Sequence, residues 1–398
     1  GTAPRLARVL AKRPRLLDAV IDPRALAVLP SASEIDGAIA AEVATATDQQ
    51  DVLERMRVVG SEQSFLIGVR VLSGSINASQ AGGAYALLAD RLIAALHGVV
   101  ASELERAHGY VPGGGAAVIA MGKLGGREMT ASSDLDLIVI YDFDPTAQQS
   151  DGERPLAPSQ YYARFTQRLV TALTAPMAEG KLYEVDLRLR PSGQKGPVAT
   201  QLSAFADYQT SEAWTWEHLA LTRARVISGD EALRGKVEAA IRQTLVHPRD
   251  RSKVAADVRD MRQRIAADKG TANVWDLKQV RGGLVDLEFV AQFLQLVHAA
   301  QHPQVLDQNT CSAIQKLGLA GCLEAGDAEA LIASTRLIHD LTQVFRLCQD
   351  GVFAPASAPK GLKELAARAG DSPSFEALDL KLKDILAANH GRFERLVA

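Results

Sequence analysis

Apolar positions along the 398 residues fall into three regimes. From residue 1 to about 108 they recur at helical spacing. Leu6, Val9 and Leu10 come first, then Leu16 and Leu17 beyond Pro14. Val52 to Val59, Phe65 to Leu72 and a longer stripe through Leu88, Leu92, Ala95 and Val99 follow. Ser31-Ala-Ser-Glu34 has the form of a capping box opening one of these helices. Beyond Gly113-Gly-Gly115 the pattern changes. Ala117 to Met121 is a short apolar run stopped by Gly122, and Leu135 to Tyr141 is β-branched and aliphatic, so both read as strands. Asp142 to Pro158 reads as a loop. Tyr162, Phe165, Leu169 and Leu173 predict a helix crossing from the second strand to a third. Tyr183 to Arg190 alternates strictly between apolar and charged residues until Pro191, which predicts that third strand. Residues 194 to 202 read as loop and short strand, and Phe205 to Gly229 as helix. From 231 onward helical spacing returns, as in Val254, Val258, Met261 and Ile265, and Gly or Pro breaks divide the remainder into a bundle. The expected fold is α+β. Helical residues 1–108 and a helical bundle at 231–398 flank a small mixed sheet within 109–230.

Chemistry concentrates in the middle region. Side chains alternate along a strand, so Asp134 and Asp136 project from one side at roughly 7 Å. In the 183–190 octet, Glu184, Asp186, Arg188 and Arg190 share a face, which by itself is the pattern of a solvated edge strand. Together, Asp134, Asp136 and Asp186 can bracket one or two hard divalent cations, and Arg188 and Arg190 can bind phosphate oxygens. Gly122, Gly125 and Gly126 allow a backbone turn that approaches a ligand closely. Lys123 is either a surface lysine or a phosphate contact. Trp214, Trp216 and Tyr208 read as core residues, and His218 as a hydrogen-bonded structural histidine. Asp286 and Glu288 sit two apart on a predicted helix and so diverge. Helix packing and catalysis are both open to them, and to Lys278.

A net charge of −3 and a pI near 6.3 argue against nucleic-acid binding through a broad basic surface. Cys311, Cys322 and Cys348 are odd in number and lack metal-site spacing, the usage of reduced thiols in a cytoplasmic protein. No apolar run approaches the roughly 18–20 residues that cross a bilayer, and Gly1 to Arg15 does not read as a signal peptide.

Gly122-Lys-Leu-Gly-Gly-Arg-Glu128, followed by Ser132-Ser-Asp-Leu-Asp-Leu-Ile138, resembles the signature of polymerase-beta-like nucleotidyltransferases. Three further stretches extend the likeness: Tyr183 to Gly193, Ala206 to His218 with its Thr-Trp-Glu-His, and Lys278 to Phe289. With them the chain is similar to the bifunctional glutamine synthetase adenylyltransferase/adenylyl-removing family. The resemblance implies Asp134, Asp136 and Asp186 as catalytic metal ligands, with Mg²⁺ or Mn²⁺. It implies Gly125, Gly126, Ser133, Lys123, Arg188 and Arg190 as nucleotide contacts, and Glu217, Arg223 and Arg225 match its pattern. It further implies ATP as substrate, a tyrosine of glutamine synthetase as acceptor, and a PII signalling protein and glutamine as controllers. One signature with no internal repeat reads as one half of such an enzyme. Arg190-Pro-Ser-Gly193 and Thr215-Trp-Glu-His218 resemble the adenylylating C-terminal half. The AMP-removing half and a non-catalytic module that binds PII or the synthetase are the alternatives.

Overall fold

The computed structural model describes residues 3–21 and 28–398, so the first two residues of the basic opening lie outside the described part. Five described helices precede the sheet: α1 (Pro4–Lys12), α2 (Leu16–Ile21), α3 (Ala32–Val43), α4 (Gln49–Ser73) and α5 (Ala78–His108). The capping box at Ser31 is formed, its hydroxyl accepting from the Glu34 amide while Glu34 accepts from the Ser31 amide. The stripes at 52–59 and 65–72 belong to one 25-residue helix, α4.

Strands β1 (Gly115–Ala120) and β2 (Leu135–Asp142) pair antiparallel, with the short helix α6 (Gly122–Gly125) between them. Helix α7 (Pro158–Thr174) carries the chain to β3 (Val185–Asp186), which lies parallel to β2, as a crossover connection requires. β4 (Thr200–Gln201) also pairs parallel with β2, further along the same edge. Helices α8 (Leu202–Ser211) and α9 (Thr215–Leu221) then lead to β5 (Arg225–Ser228), antiparallel to the other edge of β1.

Two expectations are corrected here. The alternating octet 183–190 forms a strand only at Val185–Asp186. The backbone turns at once, with the Arg190 amide donating to the Leu187 carbonyl at 3.2 Å and the Gly193 amide to the Arg190 carbonyl at 2.8 Å. The stretch 205–229 is not helical throughout, because β5 occupies its end. Four residues between a helix and Gly229 are too few to show a period, and only pairing with β1 makes them a strand.

The chain beyond 231 is helical among the described residues: α10 (Glu231–Leu245), α11 (Arg251–Lys269), α12 (Leu284–His298), α13 (Thr310–Leu319), α14 (Ala325–Cys348), α15 (Lys360–Ala369) and α16 (Phe375–Leu396), with a short 3₁₀ turn at Pro303–Val305. The sheet is covered on both faces. Ala117, Ile119, Ile138 and Ile140 join the core of the C-terminal helices, while Ala116, Val118, Leu137 and Val139 join the core of α3, α4, α5 and α7. Strands buried on both sides read as continuous apolar runs, which is how β1 and β2 were legible.

Helix α5 corrects another expectation. By length and composition it is apolar enough to cross a bilayer, its small residues having concealed this in the sequence. Leu88, Leu92, Ile93 and Leu96 are fully buried, so its apolar length belongs to the protein core. Two charges in mid-helix are paired, Asp90 with Arg225 and Arg91 with Asp36.

Candidate active site

The three carboxylates converge where β1 ends and β2 begins. Asp136 and Asp186 stand side by side in the parallel β2–β3 register. Neighbouring strands lie about 4.8 Å apart, and Asp134 is two residues earlier on the same side. All three line one open cleft of about 390 Å³. Gly122, the first residue of α6, has φ 53° and faces the Asp136 carboxylate so closely that a Cβ would collide with it. The sequence Met-Gly at the strand end is therefore what admits a carboxylate there.

The electrostatics are those of an uncompensated acidic cluster. Burial, then the Asp186 charge, and then Asp134 push the Asp136 carboxyl above its ordinary range, against the opposing pull of Lys278. Asp186 moves the other way, held down by hydrogen bonds from Arg188. The Arg188 amide donates to it at 2.8 Å and the guanidinium Nε at 2.7 Å. Among the described residues no three metal-ligating side chains are drawn into one cluster. The donor set still suits a hard cation. It is all carboxylate oxygen, and a dication would relieve the repulsion that raises Asp136. Asp134, Asp136 and Asp186 are the residues that would hold such an ion.

Facing the carboxylates are cations. Lys123, Lys278 and Arg346 line the cleft, and among the described residues none makes a side-chain hydrogen bond or ion pair. Burial, then the neighbouring Lys278, push the Lys123 ammonium down to about 8. The hydroxyl of Ser132, also on the cleft, is buried without a partner. Carboxylates beside unpaired cations and an unsatisfied hydroxyl fit a metal-bound polyphosphate.

Other sequence candidates lie elsewhere. Gly125 and Gly126 do not line the cleft; they pack on the carbonyl and the guanidinium of Arg223, and neither has room for a Cβ. They are glycines because α6 must dock on an arginine. Ser133 lines the cleft, but its oxygen accepts from the Thr130 amide at 2.9 Å and belongs to the local turn. Arg190 does not line this cleft; it donates to the carbonyls of Leu187 (2.8 Å), Pro197 (3.0 Å) and Gly196 (3.3 Å) and so shapes its own loop, beside a neighbouring pocket that it shares with Asp134, Asp186 and Arg188. Glu184, on the expected charged face, pairs with Lys181 at 2.6 Å. Trp214 and Trp216 are not core residues: they are 70% and 40% exposed. Tyr208 donates its hydroxyl to the buried Glu217 at 2.9 Å. His218 contacts the Gln209 carbonyl at 3.0 Å, and burial holds its pKa down, as a structural histidine requires.

Asp286 and Glu288 diverge as their spacing demands. Asp286 is buried against Arg262 and accepts from the Gly282 amide at 2.5 Å, so it joins helices. Glu288 reaches the cleft and accepts from Arg223 at 2.6 Å. The other arm of Arg223 bonds Glu128, which also accepts from the Thr310 amide at 2.7 Å. Arg225 is separate from this group, bound to Asp90 at 2.7 Å. Gln292 and Arg346 also reach the cleft, from α12 and α14. For Gln292 the signal was its spacing of four from Glu288 on an otherwise apolar helix, legible only once the cleft's position is known; Arg346 had none.

The cleft thus sets carboxylates against unpaired cations on a small, helix-flanked α+β core. The family described as glutamate-ammonia ligase adenylyltransferase matches residues 1–240, and the chain belongs to that family. A second family, described as GlnD PII-uridylyltransferase, matches residues 252–353. Curated relatives printed as "Bifunctional glutamine synthetase adenylyltransferase/adenylyl-removing enzyme" cover nearly the whole chain. The one from Bradyrhizobium sp. (strain BTAi1 / ATCC BAA-1182) is 50% identical over 96% of this chain and 39% of its own length. Those from Xanthobacter autotrophicus and Rhodopseudomonas palustris (strain BisB5) are 51% and 48% identical over 99% and 100% of this chain, and 40% of their own lengths. The chain thus spans about two-fifths of these relatives.

Proposed function

We propose that this chain is a polymerase-beta-like nucleotidyltransferase unit that moves AMP from ATP to a tyrosine hydroxyl of glutamine synthetase and releases pyrophosphate. The observation that carries the reading is the register pairing of Asp136 with Asp186, beside Asp134 and the Gly122 turn. In this reading residues 1–108 brace the sheet, 109–230 hold the catalytic edge and 231–398 close the cleft. Asp134, Asp136 and Asp186 hold Mg²⁺ or Mn²⁺, which when bound neutralises the triphosphate and acidifies the attacking hydroxyl. Lys123, Lys278 and Arg346 hold the phosphate oxygens and favour charge developing on the leaving pyrophosphate. Ser132 donates to a phosphate oxygen and Gly122 leaves the space in which it lies. Arg188, released from Asp186, swings to the phosphates. Asp186 is then free to accept the tyrosine proton, a role that depends on placement more than on its resting pKa. A PII protein and glutamine act as controllers, and the reaction belongs in the cytoplasm.

The alternative is removal of AMP by a cleft of the same kind, in which phosphate attacks the adenylyl phosphorus, the tyrosine oxygen leaves and takes a proton, and ADP is the product. The two are separated by incubating the chain with ATP labelled in its α-phosphate and unmodified glutamine synthetase. Label on the synthetase, lost in Asp136→Asn, supports adenylylation. Label released from a pre-modified synthetase as ADP, with none gained by the unmodified protein, favours removal.

A further inference from the structure

One end of the cleft is left unused by the groups that hold metal and phosphate. Glu288 and Gln292 stand one turn apart on one face of α12, about 6 Å along its axis, and both line the cleft. Lys123 lies in the field of Lys278, Glu288 and Arg346, so the cations gather at the level of Glu288 and Gln292 comes one turn beyond. Two apolar side chains share this lining. Ala220 is supplied by α9, which packs on α12, and Leu189 by the turn that follows β3.

Gln292 is 8% exposed, and among the described residues its amide makes no hydrogen bond. The same helix shows what a buried glutamine ordinarily does. Gln295 is 2% exposed and accepts from the Asp307 amide at 2.8 Å. Gln292 therefore holds a donor and an acceptor at the cleft wall, on a rigid helix, and the protein supplies a partner to neither.

This pairing selects a ligand. Phosphate oxygens only accept, so they would leave the amide oxygen unmatched, and Lys123, Lys278, Arg346 and Ser132 already face them. Nor does a phosphate need Leu189 and Ala220. A flat heterocycle with an amino group beside a ring nitrogen uses both features. Its edge presents one donor and one acceptor to the amide, and its face lies on the apolar side chains. We propose that Gln292 is the base-reading residue of the cleft, its oxygen accepting from the 6-amino group of adenine and its nitrogen donating to the adjoining ring nitrogen, with Leu189 and Ala220 against the ring. This assignment rests on the nucleotidyltransferase reading of the cleft. It holds for transfer and for removal of AMP alike, since both reactions handle the same base.

The test is calorimetric titration of the chain in Mg²⁺ buffer, without glutamine synthetase. The four probes are ATP, purine riboside triphosphate (which lacks the 6-amino group), 2′-deoxy-ATP and inorganic triphosphate. A site built to hydrogen-bond an amino group rejects the analogue without it, so ATP should bind about tenfold more tightly than purine riboside triphosphate. Gln292→Leu should erase that difference by weakening ATP and 2′-deoxy-ATP alike, while inorganic triphosphate binds variant and parent equally. The proposal is overturned if the parent does not distinguish ATP from purine riboside triphosphate, or if the distinction survives in Gln292→Leu. It is overturned too if the dependence on Gln292 follows the 2′-hydroxyl, or if the variant loses inorganic triphosphate, which would assign Gln292 to the phosphates or to the fold. Triphosphate binding that ignores the base sinks this assignment alone; no binding of any probe sinks the reading beneath it as well.

Discussion

At the scale of single residues, the acidic edge is costly to the fold while no cation is bound. Asp136 is raised by burial and like charges, so at neutral pH the folded protein holds a carboxylate that the unfolded chain would hold more comfortably. Asp136→Asn should raise the thermal midpoint in metal-free buffer while lowering AMP transfer by about 10³-fold, the scale of losing one electrostatic group at a reacting centre. A midpoint that falls would show Asp136 to be a structural residue. Solvent screens the Arg188 end of its pair with Asp186, so Arg188→Ala should leave stability nearly unchanged and raise the KM for ATP. Denaturation and initial-rate curves measure the two effects. His97 titrates in the opposite sense to Asp136. Burial lowers it to about 4, and its ring contacts the Ser228 hydroxyl at 2.9 Å. Its folded pKa lies below the ordinary 6.5, so the unfolded chain binds the proton more readily. The stability it contributes is complete above pH 6.5 and is lost as pH falls toward 4. His97→Gln should flatten the midpoint-versus-pH curve across that window; an unchanged slope would assign the acid sensitivity elsewhere.

At the scale of elements, Arg223 joins the α6 turn to the helical bundle. It is enclosed by Gly125 and Gly126 and pairs with Glu128 and Glu288. Removing one partner of a buried charge group leaves the others unpaired, so Arg223→Met should cost roughly 3–5 kcal/mol in chemical denaturation. Gly126→Ala should cost less but in the same direction, since its Cβ would displace the guanidinium. A loss below about 1 kcal/mol for Arg223→Met would contradict this account of the pair of glycines. The same pair shows why the sequence was only partly legible. Two glycines before an Asp-x-Asp pair read as a phosphate turn, because nothing local announces an arginine nearly a hundred residues away. Gly122 was noticed, yet its purpose became visible only when Asp136 was found against it. Strand β2 and its aspartates were legible because buried strands carry their own composition. β3 was legible in place but not in extent, its alternation running past the two residues that pair; β5 was not legible, because four residues are too few to carry a period and owe their form to pairing.

At the scale of the molecule, a narrow sheet is enclosed between two helical layers, and the cleft opens where the C-terminal layer meets the strand ends. The order of helices, then strands, then helices along the chain follows the change in apolar periodicity. The assembly of the cleft was not legible, since its cations come from α6, the segment before α12, and α14, none of which shows chemistry in isolation. Mg²⁺ with a non-hydrolysable ATP analogue should bind across these layers. Binding to the native state stabilises by mass action, so the thermal midpoint should rise with ligand concentration. The same titration on Asp134→Asn should show no rise.

The most direct measurement is a crystal of this chain grown with Mn²⁺ and a non-hydrolysable ATP analogue, with manganese located by its anomalous signal. The account predicts manganese bound to Asp134 and Asp136, Asp186 released from Arg188, and the triphosphate along Lys123, Lys278 and Arg346. Manganese and triphosphate bound away from Asp134 and Asp136, with Asp186 still held by Arg188, would contradict it.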